Sequence, residues 1–266
     1  MVTLLLVFSA LLGLCFGSFA NVLIYRLPNN LSIVNPPSHC PNCNYKIPFY
    51  HNIPVVSYIF LFGKCANCKK RISLRYPLVE ILVGVLFWFT SYNYIVIFPP
   101  ALVNVIQVTS IFVFLLFITV LIFIDLEHQI LPDRLTIPGI VLGILSSFIL
   151  PFNTPVNSLL GAILGTAVPT ILILIYALRK IEAMGWGDVK LMAMIGAYLG
   201  WKGVLLTFLF GSLLGSLIGG LYLLIFSKDR RTPLPFGTFL GIAAIAVLFW
   251  SDVFWNWYYG FSGGFP

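Results

Sequence analysis

Apolar residues fall into eight runs, 2–24, 76–97, 101–124, 135–150, 159–178, 191–201, 204–226 and 236–250, separated by short polar segments. An α-helix needs about 20 apolar residues to cross a bilayer, and several runs reach that length. The pattern predicts an all-α polytopic membrane protein. The run at 191–201 is short enough to be a buried or re-entrant segment, so its status depends on the charges around it.

Charge placement sets the expected topology. Seven basic residues and no acid lie from Arg26 to Arg75, namely Arg26, Lys46, Lys64, Lys69, Lys70, Arg71 and Arg75. Such a segment is expected on the cytoplasmic side. The uncharged links at 98–100 and 151–157 belong outside. Arg134 belongs inside, as do the group Arg179, Lys180 and Lys190 and the group Lys228, Arg230 and Arg231. The last two groups share a side only if an even number of crossings separates them. The 191–201 run must then cross too, with 188–190 in its first turn. The expectation is about eight transmembrane helices with both termini outside, Lys202 being a lone basic residue on the outer side. The first run differs from an export signal: no basic residue precedes it and Arg26 follows it, so it reads as a retained span.

Composition agrees. The 266 residues are 60% hydrophobic and 9% charged, with a mean hydropathy of +1.02, whereas soluble domains carry roughly 25% charged residues. The net charge of +7 sits in the inner segments, where it orients the chain. It makes no case for nucleic acid, and membrane lipids are the expected surroundings.

The one sizeable region off the membrane, 25–75, is rich in turn-forming Asn and Pro and too small to build a core unaided. It carries Cys40-Pro-Asn-Cys43 and Cys65-Ala-Asn-Cys68. Two such turns facing each other form a tetrahedral thiolate site for structural Zn2+, whose binding energy would fold the insertion. The separation of the pairs is slightly outside the usual range. Disulfides and a redox dithiol are the competing readings, and a cytosolic location disfavours stable disulfides. Cys15, inside the first run, reads as packing.

Two acids remain to be explained. Asp125 ends the third run and Asp188, in Gly185-Trp-Gly-Asp-Val-Lys190, begins the sixth. The topology brings both to the cytoplasmic face. A carboxylate pair in a partly dry cleft shares one proton, leaving one member to activate water and the other to polarise a scissile carbonyl. Gly185 and Gly187 would allow close backbone approach and φ > 0 beside Asp188. The plainer reading makes Asp188 a helix N-cap. Asp125 lies where the helix dipole disfavours an anion, so capping leaves it unexplained. Asp133 is a rival partner but is well placed to cap the next helix. Glu127, Glu182 and Asp133 either attract a basic substrate or balance nearby Arg and Lys. Lys190 either pairs with an acid or reaches for headgroups, and His128 reads as solvent-exposed.

Taken together, several motifs resemble one family. They are Gly17-Ser-Phe-Ala-Asn-Val-Leu-Ile-Tyr-Arg-Leu-Pro28, Ser38-His-Cys-Pro-Asn-Cys43, Gly63-Lys-Cys-Ala-Asn-Cys-Lys69, Ile72-Ser-Leu-Arg-Tyr-Pro-Leu-Val-Glu80, Asp125-Leu-Glu-His128, Gly185-Trp-Gly-Asp-Val-Lys190 and Pro235-Phe-Gly-Thr-Phe-Leu240. In this order they resemble the bacterial type IV prepilin leader peptidases, membrane aspartic proteases of the G-x-G-D type. The resemblance implies catalytic acids at Asp125 and Asp188, with Gly185, Gly187, Lys190 and Glu127 supporting. It implies cleavage of the short basic leader of prepilins or pseudopilins at the cytoplasmic face of the bacterial inner membrane. The retained Cys40, Cys43, Cys65 and Cys68 resemble the bifunctional members, which also N-methylate the new N-terminus using S-adenosylmethionine. On that basis 1–24 is a first transmembrane helix, 25–75 a zinc-binding segment associated with methyl transfer, and 76–266 the peptidase domain. The alternative is a proton-coupled transporter using the two acids as relays. Many transporters show paired repeats around a midplane site, and no repeat stands out here.

Overall fold

The computed structural model describes residues 2–95, 102–179, 184–226 and 234–261. The expected link at 98–100 and the charges of Lys180, Glu182, Lys228, Arg230 and Arg231 lie outside the described residues. Apart from two isolated β-bridges, every regular element described is helical. The chain forms two compact units, Met1–Val120 and Leu121–Pro266.

In the first unit, helix α1 (Val2–Arg26) packs along α3 (Arg75–Ile95). Small and polar residues set that contact. A Cβ at Gly17 would lie 2.6 Å from Glu80 Cα, and Asn21 Nδ2 donates to the Tyr76 carbonyl at 3.0 Å. An amide that reaches a neighbouring backbone replaces the dispersion contacts a larger residue would make there. Cys15 lies on the exposed side of α1, not in the packed seam. Between these helices, the 27–74 insertion holds a short 3-10 turn (Phe49–His51) and α2 (Val56–Phe60). Arg26, one of the seven basic residues that set the expected topology, is buried. Its guanidinium donates to the carbonyls of Ser32 at 2.8 Å and Pro36 at 2.5 Å, tying the insertion to α1. Helix α4 (Leu102–His128) carries Phe112, whose ring stacks on Phe87 of α3 with centroids 3.8 Å apart.

In the second unit, α5 (Asp133–Ser146), α6 (Pro155–Ala177) and α8 (Phe236–Phe261) pack on α7 (Trp186–Phe226). Helix α6 starts with Thr154 as N-cap, its side chain accepting from Asn157 N–H, and Pro155 in the first turn, where the ring costs no hydrogen bond. It approaches α7 at backbone distance: a Cβ on Gly161 would collide with the Gly196 carbonyl, and one on Gly165 with the Met192 carbonyl. At Gly200, α7 breaks with φ 70° and ψ −176°. Asn153 fills the break, its Nδ2 donating to the carbonyls of Ala197 at 3.0 Å and Tyr198 at 2.9 Å. Just beyond, the Lys202 ammonium lies over the rings of Trp255, Tyr259 and Trp201 at 5.3, 5.5 and 5.8 Å. Cation–π attraction stabilises a lone cation at that position.

Among the described residues, five helices are long and apolar enough to cross a membrane: Val2–Arg26, Asn104–His128, Pro155–Ala177, Trp186–Leu221 and Phe236–Gly260. The expectation of eight crossings differs from these five in three respects. Helix α3, which carries the 76–97 run, is not among them. Helix α5, with 14 residues, is only about 21 Å long, short of a hydrocarbon core of about 30 Å. The sixth and seventh runs count once among the five, but they are two helical stretches, as expected, which meet directly at the break at Gly200 with no loop between them.

Candidate active site

Both aspartates belong to the second unit. Asp125 lies in the last turn of α4, which the Gln129 N–H closes by donating to the Asp125 carbonyl at 2.9 Å, with Gln129 at φ 54°. Asp188 lies in the first turn of α7. Each is buried, 5% and 8% exposed respectively.

One oxygen of each carboxyl is committed to positioning. Asp125 Oδ2 accepts from the Thr238 backbone N–H at 2.6 Å and from Thr238 Oγ1 at 3.0 Å. The same hydroxyl lies 3.2 Å from the Ile122 carbonyl. Asp188 Oδ2 accepts from the Gly185 N–H at 3.3 Å, reaching back as the third residue of a helix does in half of a capping box. Asp188 is therefore not the N-cap that the plainer reading made it: it lies inside the first turn, and one of its oxygens serves the N–H of the cap residue Gly185. Among the described residues, no hydrogen bond goes to the other oxygen of either carboxyl.

The two groups meet at Gly237, the second residue of α8. A Cβ there would lie 3.1 Å from Asp188 Oδ1 and 3.2 Å from Asp125 Cγ. These carboxyl atoms are thus no farther apart than the sum of those distances, and they border one gap that exists because residue 237 has no side chain. Leu131 closes another side: Cβ atoms at Gly237 and Gly187 would come within 2.9 and 3.0 Å of it.

The supporting residues divide. Gly187 serves close packing against Leu131, and Gly185 supplies the N–H for Asp188. Neither has a positive φ, so the expected conformational freedom is not what these glycines provide. Lys190 Nζ lies 2.6 Å from Asp133 Oδ1. Asp133 is thereby an ion-pair partner joining α5 to α7 and makes no side-chain cap of its own helix. Glu127 is exposed at the end of α4, its Oε2 4.0 Å from His128 Nε2. The sequence reading missed Thr238 and Gly237 as site residues, although both lie within Pro235-Phe-Gly-Thr-Phe-Leu240. The motif marked the stretch but not its contact with Asp125, more than a hundred residues away.

The first unit contains a second cluster. The Sγ atoms of Cys40, Cys43, Cys65 and Cys68 lie within 4.8 Å of one another, with Cys40–Cys68 and Cys43–Cys65 each at 3.9 Å. The two knuckles are built alike. Cys40 N donates to Tyr45 O and Asn44 N to Cys40 O, while Cys65 N donates to Lys70 O and Lys69 N to Cys65 O. Asn44 and Lys69 take the left-handed conformation at φ 54° and 58°. The Tyr45 backbone N–H lowers the Cys43 thiol pKa. The Lys70 backbone N–H also favours the Cys68 thiolate, but burial and the sulfurs of Cys43, Cys65 and Cys40 outweigh it and hold that thiol at about 11. Crowded thiols resist sharing several negative charges, and a bound cation removes that resistance.

Residues 11–94 match the bacterial peptidase A24 N-terminal domain and residues 112–220 the type IV leader peptidase family. The chain is 33% identical to a prepilin leader peptidase/N-methyltransferase of Pseudomonas aeruginosa, covering 96% of this chain and 93% of that one. Proteins of the same description from Legionella pneumophila and Xanthomonas campestris are 34% and 35% identical. They cover 94% and 96% of this chain, and 93% and 94% of their own. No solved protein structure matches the chain. The chain belongs to the type IV leader peptidase family of membrane enzymes.

Proposed function

We propose that the chain removes the short basic leader from type IV prepilins or pseudopilins at the cytoplasmic face of the bacterial inner membrane, with Asp125 and Asp188 as the catalytic pair, and then N-methylates the new N-terminus. The observation that carries the peptidase assignment is the convergence of two buried carboxyls on the side-chain-free position 237. Two carboxyls this close in a dry site hold one proton between them. The ionised member takes a proton from water as the water attacks the scissile carbonyl. The protonated member donates to the carbonyl oxygen, and a proton returns to the leaving amine. Asp125 Oδ2 and Asp188 Oδ2 remain in their hydrogen bonds, leaving the opposite oxygens for the proton transfers.

In this reading the membrane is crossed about eight times, with both termini outside. Segment 25–75 serves methyl transfer and 76–266 is the peptidase domain. The four cysteines hold structural Zn2+, a placement supported by their spacing: a tetrahedron with Zn–S bonds of about 2.3 Å has edges of about 3.8 Å. The methyl donor, S-adenosylmethionine, supplies an electrophilic methyl on a cationic sulfur. The newly freed α-amine, with a pKa of about 8, attacks that carbon as the free base. The carbon–sulfur pair returns to sulfur, and the amine then releases a proton.

Two measurements test this reading. Purified protein in nanodiscs is mixed with a prepilin, with and without S-adenosylmethionine, and product masses are resolved. Loss of the leader, followed by a donor-dependent gain of one methyl group, is expected. Intact prepilin in both mixtures sinks the proposal. In the same assay Gly237→Ala, which pushes a methyl group against both carboxyls, is expected to slow cleavage by about 100-fold, the scale of a misplacement near 1 Å. A wild-type rate would mean that the pair does not work across this gap.

A further inference from the structure

The middle of the insertion between α1 and α3, read from sequence as lying off the membrane, is its most apolar part. From Ile47 to Gly63, 11 of 17 residues are Ile, Val, Leu, Phe or Tyr, and none is Asp, Glu, Lys or Arg. Lys46 and Lys64 bound the stretch. In a water-soluble insertion such a stretch would form the core. Here its apolar side faces outward. Ser57 of α2 is buried, its Oγ donating to the Tyr50 carbonyl and accepting from the Ile53 N–H, both at 3.0 Å. The Tyr58 hydroxyl reaches the Ile72 carbonyl at 3.4 Å. Val56, Ile59 and Phe60 share the opposite helical face, at i, i+3 and i+4, and all three are exposed. Phe60 is 77% exposed and Phe62, just past the helix, 87%. Polar groups turn in and apolar ones out, the reverse of an element that faces water.

Two further observations identify the surroundings. The first is depth. The Val55 N–H donates to Glu80 Oε2 at 2.7 Å, and Glu80 Cα lies beside Gly17 of α1, where a Cβ would approach to 2.6 Å. Gly17 lies seven residues before the end of the 2–24 apolar run, about 10 Å inside it along the helix axis. The entry to α2 is thus fastened near a level of α1 that hydrocarbon surrounds. The second is the backbone. A segment in hydrocarbon must satisfy its own N–H groups. Those of Ile53 and Val55 go to Ser57 Oγ and Glu80. Those of Leu61, Phe62 and Gly63 close the end of α2 onto the carbonyls of Ser57, Ile59 and Tyr58. Val55 and Phe62, which bracket α2, take φ of 60° and 51°, conformations that residues with side chains avoid. A favourable environment for the outward face offsets that cost.

We propose that residues 49–62 dip into the adjoining phospholipid leaflet and anchor the insertion there. Phe49, Val56, Ile59, Phe60 and Phe62 face acyl chains. Lys46 and Lys64, both exposed at the ends of the stretch, meet headgroup phosphates, which their long stems can reach from the edge of the apolar layer. The insertion is then tied to the membrane at its middle as well as at its two ends. The two cysteine knuckles flank the immersed stretch in sequence, so the anchor also sets how far from the bilayer they stand. This holds whichever side of the membrane the insertion occupies.

The test reads contact with lipid directly. The photoreactive residue p-benzoylphenylalanine replaces Phe60, Phe62 or, as a control, Lys69, an exposed charged position in the second knuckle. Each full-length, metal-loaded protein is irradiated in nanodiscs of phosphatidylethanolamine and phosphatidylglycerol, and adducts are identified by mass. Phospholipid adducts are expected at 60 and 62 and none at 69. Metal content equal to that of the unsubstituted protein verifies that the insertion is folded. Adducts to a second copy of the chain, without lipid, would make this face a subunit contact and overturn the proposal. Equal lipid adducts at all three positions would overturn the assignment to this segment. A second measurement uses Phe60→Asp combined with Phe62→Asp, which places two carboxylates where hydrocarbon rejects them. Protease is expected to spare 47–63 in the parent and to cut it in the double variant, with metal retained. Equal susceptibility of the two proteins would show that the segment lies in water.

Discussion

Asp125→Asn and Asp188→Asn each lower leader cleavage by about 1,000-fold or more, the usual scale for removing a general acid or base that works as part of a unit. Each asparagine keeps a side-chain oxygen able to accept what the positioning oxygen now accepts, from Thr238 in one case and Gly185 in the other. The helices should therefore stay in place, and membrane insertion and metal content should match the parent. What is lost is the exchangeable proton: an amide neither takes a proton from water nor gives one to a carbonyl. The double variant is expected to be no slower than either single one, because the pair acts as one device. Normal cleavage by either single variant would end the two-acid assignment. Loss accompanied by failed insertion would instead mark that carboxyl as structural.

The second large effect concerns the cysteines. Replacing Cys40 and Cys43 together by serine leaves two thiolates of the four. Bound zinc is expected to fall from one per chain to none, measured by elemental analysis of the purified protein. Structural zinc contributes roughly 10–16 kcal/mol in small apo-unfolded domains, and the 25–75 segment has little apolar core to replace it. Limited proteolysis should then cut within 25–75 while the membrane helices survive. Methylation should be lost with the fold of the insertion. Leader cleavage falls only to the extent that substrate docking uses this segment. Zinc retained at one per chain in the double serine variant, or an insertion equally protected after chelation, would show that the four sulfurs are not the metal site.

Much of this arrangement was legible in the chain because it depends on local pattern. The apolar runs mark the helices, and the Cys-x-x-Cys pairs mark the knuckles, whose geometry is made within a few residues of each cysteine. Asp125 and Asp188 were visible because acids at the ends of apolar runs are rare. Features that failed to show depend on distant contacts. Thr238 grips Asp125 across 113 positions, and no local signal distinguishes that threonine from those, such as Thr166 and Thr170, that bond back into their own helix. The enclosure of Arg26 did not show because sequence cannot tell a cation facing water from one enclosed by carbonyls. Asp133 read as a cap for the same reason: its partner, Lys190, lies 57 residues away. The sequence divided the sixth run from the seventh at 202–203, close to the actual break at Gly200, but read a link at Lys202 where the second helical stretch has already begun.

The N-terminal arm of α7 is fastened at two levels, by the Lys190–Asp133 ion pair near one end and by the Asn153 bonds to Ala197 and Tyr198 near the other. Ser158 Oγ adds a third fastening, donating to the Ala197 carbonyl at 2.7 Å. A rod pinned top and bottom has no free end to swing. If Asp188 is catalytic as proposed, the acid this arm carries is an anvil rather than a jaw, and a peptide would have to be drawn out and laid across it. On that proposal, recognition would turn on how far a substrate's own chain can unwind and extend, with selection falling on the flexibility of the visitor more than on any closing motion of the host.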